Sequence, residues 1–178
     1  SDYDYLFVPA LYSASENELK ALDEYALNGG NLLVTFKSGF SDEHLKIYHD
    51  TQPHILCKTL GIKYDQFTYP ANVKISYNNV SSDATEWMEL VTCDTAETLC
   101  HYDHKVWNTY SAVTLNRYGS GRAMYLGAMF GENTLIEILK DFFKDDSKLT
   151  SNEFNARYPV VIKRGINSLG KEIVYLLN

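Results

Sequence analysis

Ser38 is the residue whose type and setting come closest to a nucleophile. It stands in a tight Lys37-Ser38-Gly39 turn that closes the apolar run Asn31 to Phe36 and leads into an acidic segment holding Asp42 and Glu43. A serine there needs a base within hydrogen-bond reach, an acid to orient that base and an oxyanion hole. The surrounding sequence reads F-K-S-G-F, whereas a nucleophile elbow reads G-x-S-x-G. His44 and His49 follow closely, but no spacing fixes either beside Ser38. A Ser-Gly turn whose hydroxyl bonds local backbone is the favoured reading.

The other reactive types form no stronger pattern. Five histidines are present, at 44, 49, 54, 101 and 104. His101-x-x-His104 falls on a strand-like or turn segment, where residues three apart face opposite sides, so joint metal ligation is awkward. The pairs Asp42-Glu43 and Asp145-Asp146 are adjacent, whereas two glycosidic carboxylates must flank a sugar bond across a defined gap. Gly119-x-Gly121, between Arg117 and Arg122, lies in a hairpin and not in the strand-to-helix turn that cradles phosphate. Cys57, Cys93 and Cys100 cannot all pair and match no zinc or CxxC spacing; they read as ordinary half-buried thiols. No cofactor is expected.

Bulk composition narrows the partners. The 178 residues are 45% apolar and 22% charged, which suits a globular domain with a real core. The net charge of −7 and pI of about 5.2 disfavour a nucleic-acid partner, which would need clustered Lys and Arg. No apolar run approaches the ~20 residues that span a bilayer, so no membrane partner is expected. The chain opens abruptly on SDYDYLFVP without a signal peptide, which reads as the middle of a longer protein, and the compartment stays open.

These residues must be positioned by an α/β arrangement. YLFVPAL (Tyr5 to Leu11) reads as a strand covered on both faces. The next segment is a helix: Ser15 and Glu18 make a capping box, Leu19, Leu22 and Ala26 share a face, and Gly29-Gly30 stop it. NLLVTF (Asn31 to Phe36) is a second buried strand, so the three form a βαβ unit with parallel strands. PHILCKTLG reads as a helix starting near Pro53 and stopped by Gly61. WMELVTC, AETLCHYD and YSAVTLNRYGSGRAMYLGAMF then form a strand meander with a tight turn at YGSGR. NTLIEILKDFF (Asn133 to Phe143) is a closing helix with Leu135, Ile138, Leu139 and Phe142 at helical spacing. The polar stretch from Lys144 reads as a linker, and VVIKRGINSLGKEIVYLLN as a hairpin that must pack on something or belong to a further domain.

In that order the pieces resemble the middle domain of glycoside hydrolase family 42 β-galactosidases. The strand Tyr3-Asp4 through Pro9-Ala10-Leu11-Tyr12, the Gly29-Gly30 pair, the turn Lys37-Ser38-Gly39 and then Asp42-Glu43 carry the start of the match. TEWMELV, with its Trp-x-Glu pattern, AETLCHYD and AVTLNRYGSGRAMYLG resemble its later strands, and the final hairpin looks like the opening of its small C-terminal β-domain. The stretch KVWNTYSAVT lacks the Gly-rich, Pro-containing loop usual in that family, so the loop from Trp107 to Tyr110 is expected to differ in shape. The chain also lacks the βα unit that usually precedes the Tyr-Asp strand.

The resemblance implies a flavodoxin-like, class I glutamine amidotransferase-like doubly wound sheet over residues 1–143, a linker over 144–158, and the start of a β-domain over 159–178. It implies a non-catalytic module that serves trimer assembly, with self-association and the TIM barrel of the parent chain as partners and the catalytic residues in that barrel. Ser38 then falls about where amidotransferases carry their nucleophilic Cys. Lys37, Ser38, Phe40, Tyr48, Trp107 and Tyr110 are the candidates for subunit contact or loop anchoring. Two other readings stay open: an amidotransferase-like hydrolase acting through Ser38 or Cys57, and a carbohydrate-binding accessory module using Trp87, Trp107 and Tyr110.

Overall fold

The computed structural model describes residues 3–143 and 161–177. It divides into two compact units, Ser1–Leu139 and Lys140–Asn178. The expected linker, residues 144–158, lies outside the described residues.

The first unit opens with the βαβ arrangement: β1 (Tyr5–Val8), α1 (Glu16–Leu27) and β2 (Asn31–Thr35), with β1 and β2 parallel. Helix α1 starts where the capping box places it. Ser15 Oγ accepts the Glu18 amide at 3.4 Å, and Glu18 Oε2 accepts the Ser15 amide at 2.7 Å. Leu19 and Ala26 on its inner face are fully buried, and Leu22 packs against the same core.

Next come α2 (Leu56–Leu60), β3 (Ile62–Lys63), β4 (Phe67–Thr68), β5 (Lys74–Tyr77), β6 (Val80–Glu89), β7 (Thr92–Cys93), β8 (Glu97–His101), β9 (Ser111–Tyr118), β10 (Gly121–Leu126) and β11 (Ala128–Phe130). Helix α2 is shorter than the sequence suggests. His54 has φ of 55°, outside the helical region, so the helix begins only after it; Gly61, at φ 64°, ends it as expected.

The main sheet has the order β1-β2-β10-β9-β8. Its first three strands are parallel, and β9 and β8 continue antiparallel, so the sheet is mixed. Gly121 opens β10 where a Cβ would lie 2.3 Å from the carbonyl oxygens of Ala26 and Gly30; only glycine lets this hairpin approach the end of α1. Leu32, Val34, Ala123 and Tyr125 build one core with Leu19, Ala26, Leu56 and Leu60 of the two helices. Leu33 and Met124, which alternate with them, are also buried, so β2 and β10 are covered on both faces. Strand β1 departs from the expectation. It stops at Val8, pairs only with β2 among the described strands and leaves Phe7 49% exposed, because it is an edge strand.

A second sheet, order β11-β6-β4 with β5 also paired to β6, was only partly visible in the sequence. Strand β6 begins seven residues before the strand-like WMELVTC, joined to β5 by a two-residue turn. Asn78 and Asn79 there have φ of 48° and 64°, the left-handed pair that tight hairpins use. Strands β3 and β7 form a small ladder of their own. Helix α3 (Glu132–Phe143) follows, with Ile138 fully buried. In the second unit β12 (Val161–Ile166) and β13 (Glu172–Leu177) make the expected hairpin, its turn held by Asn167, whose Oδ1 accepts the Leu169 and Lys171 amides at 2.9 Å.

Candidate functional site

The Lys37–Phe40 turn is sharp, but its geometry presents a different residue from the one a nucleophile reading needs. The strained position is Lys37, at φ 61°. Ser38 has no exposed surface, and its Oγ accepts the Leu11 amide at 3.0 Å, tying the end of β2 to the segment after β1. Gly39 donates its own amide to the Leu11 carbonyl at 2.9 Å. A nucleophile must reach a substrate atom; this hydroxyl instead fixes two loops to each other.

What holds the turn is a residue named in the sequence only as part of the Trp-x-Glu pattern. Glu89, fully buried at the end of β6, accepts the Lys37 amide at 2.8 Å and the Trp87 Nε1–H at 3.1 Å on Oε1, and the Tyr125 hydroxyl at 2.5 Å on Oε2. Its backbone carbonyl accepts the Tyr102 hydroxyl at 3.1 Å. Tyr64 stands beside the same carboxylate, its hydroxyl outside full hydrogen-bond geometry. Burial drives the Glu89 pKa up to about 6, against the donors from Tyr125, Lys37 and Trp87 that favour its charged form. The same burial, with the Glu89 charge beside them, raises the tyrosines at 102 and 125 far above the ordinary phenol range.

Trp87 owes its position to an irregularity in β6. In the pairing with β11, Met129 faces Thr85 while Ala128 faces Met88, so Glu86 and Trp87 are extra residues in a bulge. Glu86 takes φ of 62°. The bulge turns Trp87 toward the Lys37 turn, as bulges do when they re-aim a side chain. Phe67 stacks on the indole at 4.0 Å between ring centres, and Lys37 Nζ lies 4.3 Å from the ring centre, which takes the opposite face. Phe40 meets both Phe67 and Trp87 edge-on, and Tyr12 leans on Phe40 at 5.2 Å. With both faces of the indole occupied, Trp87 offers no platform for a sugar ring.

Of the sequence candidates, the fold gathers Lys37, Ser38 and Phe40 around Glu89 and Trp87. Tyr48 sits next to them: its amide donates to the Phe40 carbonyl, its hydroxyl donates to the Ala14 carbonyl at 3.1 Å, and its ring stacks on His54 at 3.7 Å. Trp107 and Tyr110 lie elsewhere, in the loop between β8 and β9. Trp107 there stacks near His104 at 6.2 Å and leans on Tyr110 at 6.3 Å. Glu89 was missed because nothing in one sequence distinguishes a buried glutamate. The signals were Trp87 two positions before it and apolar Met88, Leu90 and Val91 around it.

The histidines do not converge. His101 Nδ1 meets the Tyr110 carbonyl and His54 pairs with Asp50 at 2.6 Å; among the described residues no three metal-binding side chains come together. The Cys57 thiol is pushed up to about 12 by burial, so it is poorly suited to nucleophilic attack. No helix of the described residues is long and apolar enough to cross a membrane.

Comparison with known proteins places this geometry in a family. Residues 1–150 match the family model of the β-galactosidase trimerisation domain. The chain is 33% identical over 144 residues to β-galactosidase BgaB of Geobacillus sp., covering 79% of this chain and 21% of that protein. It is 25% identical over 181 residues to β-galactosidase LacA of Lactobacillus acidophilus, covering all of this chain and 27% of that protein. In fold it is similar to a β-galactosidase from Bacillus circulans sp. alkalophilus, with a TM-score of 0.86 at 17% identity over 99% of this chain and 27% of that one. The β-galactosidase of the haloarchaeon Halorubrum lacusprofundi is 26% identical with a TM-score of 0.72, over 81% of this chain and 22% of that one. The chain thus spans about a fifth to a quarter of the length of these relatives. Its described sheets are mixed and antiparallel, with no eight-stranded parallel barrel among them. The chain belongs to the β-galactosidase trimerisation domain family.

Proposed function

We propose that this chain is the assembly module of a β-galactosidase that works as a trimer, and that the parent protein hydrolyses terminal β-galactosides through a TIM barrel outside these residues. The match of residues 1–150 to the trimerisation family carries this reading. The interior of the Lys37 turn supports it: the strained position holds a lysine, and the one hydroxyl in the turn is consumed in joining two loops. Self-association and the barrel are the partners. Residues 1–143 form an amidotransferase-like domain, 144–158 a linker and 159–178 the start of a small β-domain. The parallel β1, β2 and β10 with a sharp turn after β2 support the flavodoxin-like assignment of the first of these.

Light scattering on the eluting full-length parent protein tests the reading. Three subunits per particle, with galactosidase activity in the parent and none in residues 1–178 alone, is the expected result. A parent that runs as a monomer at all concentrations overturns it.

A further inference from the structure

We infer that the aromatic patch around Lys37, made by Tyr12, Phe40, Phe67 and Trp87, is a surface on which a second copy of the parent chain docks, presenting a carboxylate to Lys37; this rests on the assembly reading above. Three observations lead there. First, the patch has two open rings: Phe67 is 45% and Tyr12 38% exposed, and both pack on the buried Phe40. An exposed aromatic cluster with a polar edge marks a contact surface more often than a stray apolar residue does.

Second, the patch is built and not incidental. Two residues in left-handed backbone, Lys37 and Glu86, present Lys37 and Trp87, and the buried Glu89 holds both through one oxygen. Strain sustained by a buried anchor is the pattern expected where a surface must keep one shape. Trp87 is already sandwiched, so the patch meets a partner as a rigid aromatic block and loses little side-chain entropy on docking.

Third, the charge is complementary to this chain itself. Lys37 forms no ion pair with the described residues and rests only on the indole. The chain carries 23 acidic against 16 basic residues, so a neighbouring copy offers carboxylates in excess. A closed ring of three copies joins unlike surfaces head to tail, so each patch meets a different face of its neighbour and not its own image. A cation at the centre of an aromatic patch suits that role, since central aromatic and cationic side chains dominate interface energies.

The test uses the full-length parent, with Lys37→Glu and Phe67→Ser compared with the exposed-helix control Ile136→Ser. Each is examined by light scattering across a dilution series and by near-ultraviolet circular dichroism. The expected result is a trimer-to-monomer midpoint raised about 30-fold or more in the two patch variants and unchanged in the control, with native spectra throughout. If Phe67→Ser loses its native spectrum, Lys37→Glu decides, together with hydroxyl-radical labelling of wild-type Phe67, which should rise on dilution through the midpoint. A wild-type monomer removes the assembly reading itself. A wild-type trimer whose midpoint is unmoved by either variant overturns the docking inference alone. A lowered melting temperature with an unmoved midpoint also overturns it, by assigning the patch to the parent chain's own remaining domains.

Discussion

The Glu89 carboxylate accepts the Lys37 amide at 2.8 Å across 52 positions of sequence, joining the end of β6 to the turn after β2. That single acceptor ties a strained backbone position to a buried charge, and its removal should be felt throughout the first unit. Glu89→Ala leaves the Lys37 amide, the Trp87 indole N–H and the Tyr125 hydroxyl without their acceptor. A loss of about 3 kcal/mol or more is expected from three stranded donors, measured by urea unfolding. Glu89→Gln keeps an oxygen for the two N–H donors and should cost less than half as much.

The same group makes stability depend on pH with a definite sign. Its folded pKa, about 6, lies above the ordinary 4.5, so the folded state binds this proton more tightly than the unfolded chain. The contribution is therefore fully present below pH 4.5 and is lost as pH rises through 6. At about 1.4 kcal/mol per pKa unit it amounts to about 2 kcal/mol. Glu89→Gln should remove this component from the stability–pH curve between pH 4 and 7; an unchanged difference curve between the two proteins would sink the assignment.

Ser38→Ala separates structure from chemistry. The Leu11 amide loses its partner in a closed site, so stability should fall by about 1–2 kcal/mol. The galactosidase turnover of the parent protein should be unaffected at temperatures where the variant is folded. A turnover loss at constant fold would restore a catalytic reading for the hydroxyl.

Ser15→Ala removes one half of the capping box and exposes the first turn of α1 to fraying. A cost of about 1 kcal/mol is expected by thermal melting, with the Glu18 carboxylate losing the Ser15 hydroxyl donor while keeping the Ser15 amide. Ser15→Asp, which keeps an acceptor at the cap, should recover most of it.

Gly61→Ala should be damaging out of proportion to its size. Gly61 ends α2 at φ 64°, and a Cβ there would lie 2.5 Å from Thr95 Oγ1 and 2.7 Å from Asn116 Cγ. Its carbonyl also accepts the amides of Asp94, Thr95 and Ala96. Backbone strain and the clash together predict a loss above about 2 kcal/mol by urea unfolding; a loss below half of that would mean the β7–β8 connection yields easily.

The parts of the fold that one sequence reveals are those specified locally. The Ser15–Glu18 box, the Gly61 stop, the Gly119–Gly121 turn and the period of Leu135, Ile138 and Phe142 each write their element into a few adjacent residues. The second sheet is different: Val80 to Glu86 is polar and half-solvated, so no apolar alternation announces β6, and its only local mark is the Asn78-Asn79 turn. Edge position is equally invisible, since β1 is apolar enough for a central strand and is an edge among the described strands only through its place in the order. The candidate site splits the same way. Lys37, Ser38 and Phe40 could be picked from the turn, whereas Glu89 and Phe67 join them only through long-range pairing of β6 with β4 and β11.

The Glu86–Trp87 bulge has a mechanical consequence. Glu89, three residues beyond the bulge's first member, grips the turn after β2 and the side chain of β10, both in the main sheet, from a strand of the other sheet. Sliding one sheet over the other by even one residue would tear away the Lys37 and Tyr125 hydrogen bonds to that carboxylate at once. The two sheets are thereby latched against shear through one buried carboxylate.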